Sequence, residues 1–153
     1  MVDCKQSEVQ ESIQEENFTG LTLCNIKDEW DWVRKGLQEI YDADPDPKQI
    51  PEDVYADCRY GRAKLFTMDD KQLFVILSEH RESDDLIHLV VWHCWASDRG
   101  KKKMSTWLPD VEKYAKENGY TSVMCESVHV GIAEYAIKHY GYFIDTIVIK
   151  KFV

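Results

Sequence analysis

Glu79 and His80 stand side by side near the end of a segment with strand character. A carboxylate and an imidazole placed there could each take a proton through a bound water, as general bases do. Burial and neighbours decide whether either is tuned for that work, and otherwise both are ordinary rim residues. A second cluster is Asp98-Arg99-Gly100-Lys101-Lys102-Lys103, shortly before Ser105 and Thr106, where a helix is expected to start. The free amides and positive pole of a helix N-terminus favour phosphate, and Arg99 with Lys101, Lys102 and Lys103 adds charge. A solvated basic loop is the alternative reading of the same residues. His88, His93, Cys94 and Cys125 are of types that bind zinc. However, His88 and His93 are an odd number of positions apart, so an ideal strand sends them to opposite sides. His93 and Cys94 also point apart, and there is no Cys-x-x-Cys pair, so no metal is expected. The chain carries no Ser-His-Asp signature, no P-loop and no Gly-x-Gly-x-x-Gly segment.

The elements that must position these residues follow from period and punctuation. Leu21 to Ile26 reads as a first strand. Asp28 could cap the helix after it, whose Trp30, Val33, Leu37, Ile40 and Tyr41 recur along one face. Asp44-Pro45-Asp46-Pro47 breaks that helix, and Pro51 with Glu52 and Asp53 opens a shorter one through about Arg59. The period then changes. Ala63 to Met68, Leu73 to Ser78 and Leu86 to Ala96 read as an antiparallel meander, parted by Asp69-Asp70-Lys71 and Glu82-Ser83-Asp84-Asp85. Leu89 to Trp92 lacks clean alternation, as expected of a strand covered on both faces, and Trp92 and Trp95 are expected on opposite faces. Ser105 or Thr106 could cap a helix with Trp107, Val111, Tyr114 and Ala115 on one side and Gly119 at its end. Thr121 to Glu126 is a further strand, and a helix through Ala133, Ala136, Ile137 and Tyr140 stops at Gly141. Tyr142 to Ile149 is expected as the final strand. Strands alternating with amphipathic helices imply an α/β fold, a mixed sheet with helices on its faces.

Bulk properties bound the function. A chain of 153 residues suffices for one full core. Residues 1–19 are acidic and poor in apolar anchors, an expected flexible arm ahead of one domain over residues 20–153. Residues 1–60 hold 15 acidic and 6 basic side chains, which is all of the net charge of -9, while residues 61–153 hold 13 of each. That acidic third repels nucleic acid, and no nucleic-acid partner is expected. An acidic surface beside aromatic groups fits a protein partner better. Five dispersed cysteines imply reduced thiols. No signal peptide is expected from MVDCKQSEVQ, and the apolar run Leu86–Ala96 is too short for a bilayer, so a membrane location is not expected.

The order of elements and several local features resemble the GCN5-related N-acetyltransferase superfamily, over roughly residues 20–152 and most closely in the C-terminal half. Gly141 and Tyr142 match the Gly-Phe pair that ends the family's penultimate helix, and Ala133 matches its alanine. Val130 stands at the family's asparagine position and Ile137 at its tyrosine, with Tyr135 and Tyr140 nearby. The chain also looks like divergent acetyltransferase-like proteins of bacteriophages, some of them associated with tailed virions. The resemblance implies an acyl-CoA N-acyltransferase-like bent mixed sheet flanked by helices. It also implies acetyl-CoA as cofactor if the chain is catalytic. The Val91, Trp92 and His93 backbone would take the pantetheine, and Arg99, Gly100, Lys101, Lys102, Lys103 and Ser105 the phosphates. Glu79 or His80 would then be the base. Two functions are expected. One is a noncatalytic bacteriophage accessory, structural or host-interaction protein, cytoplasmic in the host or virion-associated, with a viral or host protein partner. The alternative is an N-acetyltransferase moving acetyl to a small-molecule amine. Val130, Ile137 and the single glycine of the basic turn favour the first.

Overall fold

The Asn25 side chain accepts the Lys27 amide at 3.0 Å and so starts the first long helix, α1 (Ile26–Ala43), after a short strand β1 (Thr22–Cys24). The cap is therefore Asn25, and Asp28 lies inside the first turn, where its charge favours the helix pole. The computed structural model describes residues 20–68, 70–97, 104–126, 130–145, 147 and 149–151. The expected arm over residues 1–19 lies outside the described residues. Helix α2 (Pro51–Arg59) begins as expected at Pro51, with the Asp53 carboxylate reaching back to the Ile50 amide at 3.0 Å.

Strands β2 (Ala63–Met68), β3 (Leu73–Ser83) and β4 (Leu86–Ala96) form the meander, antiparallel throughout. β1 adds antiparallel to β2, with Thr22 opposite Thr67. A 3-10 turn (Met104–Thr106) leads into α3 (Leu108–Glu117), and β5 (Ser122–Cys125) returns parallel to β4. The cap of α3 falls on Trp107, whose side chain makes no capping bond, so neither Ser105 nor Thr106 serves as expected. Gly119 takes φ +76° after this helix, the left-handed conformation expected there. Helix α4 (Val130–Tyr140) ends at Gly141 with φ +72°. The sheet order is β1-β2-β3-β4-β5.

Each face of the sheet carries a core. On one side Phe74, Ile76 and Leu65 pack with Val33, Leu37 and Val54 of α1 and α2. On the other, Val75, Leu77, Leu89 and Val91 pack with Leu108, Val111 and Ala115 of α3. Gly36 lets α1 come close, because a Cβ there would stand 2.6 Å from the Phe74 ring and 2.8 Å from Trp95. The expected mixed sheet with helices on its faces is present. The expected strand over Tyr142 to Ile149 is not: its described residues lie in no strand.

Candidate active site

Strand β4 is paired with β5 only from His88, opposite Ser122, to Val91, opposite Cys125. β4 itself runs on to Ala96, so Trp92–Ala96 has no strand beside it on that side among the described residues. The sheet splits there. On the β3 side the register shifts at the same point: Ile76 faces His93 while Leu77 faces Val91, which leaves Trp92 as the extra residue of a bulge. Val91 packs in the α3-side core, Trp92 joins the opposite core, His93 bonds Tyr41 of α1, and Cys94 returns to the α3 side.

This bulge corrects two expectations. Trp92 and Trp95 both pack in the α1 and α2 layer rather than on opposite faces. His88 and His93 fall on one side of the strand, because the extra residue cancels the odd spacing. Alternation assumes one residue per pleat, and a bulge breaks that count.

Of the residues expected to hold a cofactor, Val91, Trp92 and His93 therefore sit where the ladder ends. Their side chains turn into packing, so what this stretch offers the opening is backbone. His93 is bonded through Nε2 to the Tyr41 hydroxyl at 2.9 Å. Burial lowers the His93 pKa to about 4 and raises the Tyr41 pKa to about 12, so both groups are neutral near pH 7. Arg99, Gly100, Lys101, Lys102 and Lys103 lie outside the described residues. Ser105 is exposed in the 3-10 turn ahead of α3.

The α3 side of the opening is lined by a group that the sequence did not single out. The Tyr142 hydroxyl donates to Glu112 Oε1 of α3 at 3.2 Å, and burial first, then Glu112, raises the Tyr142 pKa. Cys125 ends β5 close by, and burial with nearby Cys125 pushes the Cys94 thiol up to about 12. The Cys94 thiol packs against the α3-side core, and burial raises the pKa of both thiols, which keeps them protonated near pH 7. Tyr142 entered the sequence reading only as the aromatic after Gly141. Nothing local shows that Glu112, thirty residues earlier, is its partner.

The two base candidates point to opposite faces. Glu79 shares the α3 face with Leu77 and accepts a hydrogen bond from the Tyr120 hydroxyl, just before β5. It sits opposite Leu89, two residues along β3 from the Leu77–Val91 pair where the ladder ends. His80 faces the other way and stacks on His88, ring centroids 6.1 Å apart. His88 Nδ1 is 2.5 Å from Ser122 Oγ, and its Nε2 lies 3.4 Å from Glu82. Among the described residues, no group of three His, Cys, Asp or Glu side chains is placed to hold a metal ion. No described helix is long and apolar enough to cross a membrane.

Comparison with known proteins places the architecture. No family model matches the sequence, and no curated protein matches it. Solved structures do. The ribosomal-protein-alanine N-acetyltransferase of Brucella melitensis superposes with a TM-score of 0.64 at 15% identity, over 87% of this chain and 98% of its own. An aminoglycoside acetyltransferase from an uncultured soil metagenomic sample, in complex with sisomicin, gives 0.64 at 8% identity, over 90% and 97%. A Trypanosoma brucei acetyltransferase gives 0.58 at 12%, over 86% and 98%. The fold is the bent mixed sheet of the GCN5-related N-acetyltransferases, as the resemblance implied.

Proposed function

We propose that the chain is an N-acetyltransferase that moves an acetyl group from acetyl-CoA to an amine. The observation that carries this is the split: β4 leaves its ladder with β5 at Val91 and runs on, bulged at Trp92, as an open edge inside an acetyltransferase fold. Such an edge can hydrogen-bond an extended chain of amides, which is what a pantetheine arm is. Arg99, Lys101, Lys102 and Lys103, with Gly100 and Ser105, would face the phosphates just ahead of α3. Bound there, the cofactor would supply a thioester-activated acetyl group, exchanging its thiol for the amine at the acyl carbon.

The chain's own residues then have distinct tasks. Glu79 lies on the α3 face near the end of the ladder and would take the amine proton through a water, sharing its carboxylate with Tyr120. His80 could serve only an amine that enters from the opposite face. Tyr142, close enough to Cys125 to feel its charge, would donate a proton to the departing sulfur once it turns from Glu112. Its raised pKa slows loss of that proton, so release from Glu112 is part of the step.

The second reading, a noncatalytic accessory protein on the same fold, is favoured by Val130 and by the half-exposed Ile137 at the family's tyrosine position. A bacteriophage source draws no support from the fold. The likeness to acetyltransferases favours the enzyme.

Calorimetry with acetyl-CoA and with its dephospho analogue tests the proposal. Saturable binding should weaken at least tenfold when Arg99 and Lys101 to Lys103 are neutralised together, and Glu79→Gln should then leave binding intact while lowering turnover of a bound amine. Absence of cofactor binding by the folded chain would overturn the enzymatic reading.

A further inference from the structure

At the end of the sheet away from the split, the β3–β4 hairpin gathers polar groups that the acetyl transfer does not use. His80 and His88 are directly opposite in the ladder, with ring planes 18° apart. Beyond them β3 bulges: Arg81 faces Ile87 while Ser83 faces Leu86, which leaves Glu82 as the extra residue. A bulge re-aims its side chain, and Glu82 Oε1 comes to 3.4 Å from His88 Nε2. From the next strand, β5, Ser122 Oγ holds the other ring nitrogen of His88 at 2.5 Å.

The His88 side chain is only 14% exposed, and its Nε2 is buried with no hydrogen-bond partner among the described residues. Buried polar atoms are ordinarily paired. With Nδ1–H given to Ser122, Nε2 turns a lone pair toward a carboxylate, and two such atoms repel unless a cation lies between them. A proton serves poorly, because 3.4 Å exceeds the ordinary N–H···O distance of about 2.7–3.2 Å. A metal ion fits better. Zinc binds imidazole nitrogen and carboxylate oxygen at about 2.0–2.2 Å, which puts two ligands of a tetrahedral site about 3.3–3.5 Å apart.

We propose that His88 Nε2, Glu82 and His80 bind one zinc ion, with water as the fourth ligand and Ser122 fixing the His88 ring. Two ligands stand in place, and His80 does not yet complete a set of three. Its exposed ring, 6.1 Å from that of His88, reaches the ion by turning about side-chain torsions, of which χ2 is broad. Ser122 is the outer partner that metal-bound histidines characteristically have. The ion would tie the tip of the hairpin to β4 and, through Ser122, to β5. This inference is independent of the acetyltransferase reading, since His80 lies on the face of β3 opposite Glu79.

Calorimetry of zinc chloride into the full chain, freed of metal by a chelator and kept reduced, is the test, with cobalt as the spectroscopic stand-in. The expected result is one ion per chain, bound at least tenfold more weakly by each of Glu82→Gln, His80→Gln and His88→Gln. Ser122→Ala should weaken binding by roughly 10–100-fold, as loss of an outer partner does. His139→Gln, at an exposed histidine of α4, should leave it unchanged. Bound cobalt should show visible tetrahedral bands without the near-ultraviolet band of a thiolate ligand. If His88→Gln fails to fold by circular dichroism, the variants at exposed Glu82 and His80 decide. Absence of saturable binding, binding that withstands any of the three ligand substitutions in a folded chain, or a thiolate band would each overturn the proposal.

Discussion

At Gly36 the missing side chain sets how closely α1 can lie on the sheet. A Cβ at that position would press on the Phe74 and Trp95 rings, which stack with centroids 5.7 Å apart. Both rings are held, since Phe74 is fully buried and Trp95 donates its Nε1 hydrogen to Glu39 at 2.7 Å. Gly36→Ala gains helix propensity, worth up to about 1 kcal/mol in a helix interior, but overpacking typically costs about 1–3 kcal/mol. The overlap should win, and urea unfolding should show a net loss. His93 gives a pH-dependent case. Its folded pKa of about 4 lies below the ordinary 6.5, so between those values the unfolded chain binds a proton that the native chain does not. Stability is therefore full above about 6.5, falls as pH drops, and levels below about 4, with a total loss approaching roughly 3 kcal/mol. His93→Gln keeps an acceptor for Tyr41 and cannot titrate. The stability difference between wild type and variant should change across this window, whereas parallel curves would show that His93 is not the titrating group.

Elements were legible where their signals are local. α2 begins at Pro51, α3 and α4 stop before Gly119 and Gly141, and a turn through Asp70 and Lys71 parts β2 from β3, whereas β3 runs on past the expected Ser78 to Ser83 and leaves only Asp84–Asp85 as the turn to β4. The first of these turns carries strain: Asp70 and Lys71 take φ of 49° and 65°, a left-handed pair such as tight hairpins require. Asp adopts that conformation more readily than Lys, whose longer side chain gains nothing from it. Lys71→Gly should therefore raise stability by about 0.5–1 kcal/mol despite the added freedom of the unfolded chain. A lower denaturation midpoint would show that the lysine makes a contact outweighing the strain. What the sequence did not disclose depends on remote pairing. Trp92 as a bulge residue is set by the register of β3, and an apolar run reads alike whether covered on both sides or bulged. Tyr142 to Ile149 has strand composition, yet a strand exists only where an edge receives it. The Tyr142–Glu112 pair, likewise, joins an α3 residue to one beyond α4.

For the whole molecule, charge and fold make opposite demands. A net charge of -9 repels an anionic cofactor, and all of that excess sits in residues 1–60. In the described part of that third, the acidic residues belong largely to α1, α2 and their connection, on the face of the sheet opposite α3. The basic turn precedes α3 directly in sequence, so any phosphate it holds lies within contact distance of its own cations. Charges beyond the Debye length, about 8 Å at physiological ionic strength, are largely screened. Local attraction should therefore win, and the cofactor should bind the folded chain in spite of the overall charge. Binding to the native state alone stabilises it by about 2.7 kcal/mol at a hundredfold excess over Kd, which for a chain of this length raises Tm by roughly 5–10 °C. Added salt weakens the contact attraction and the long-range repulsion together, but at physiological ionic strength the repulsion is already screened. The acetyl-CoA-induced rise in Tm should therefore shrink steadily toward molar salt, and shrink less for the chain with Arg99 and Lys101 to Lys103 neutralised. A rise in Tm that grows with salt would mean that repulsion from the acidic third governs binding and that the basic turn does not touch the phosphates.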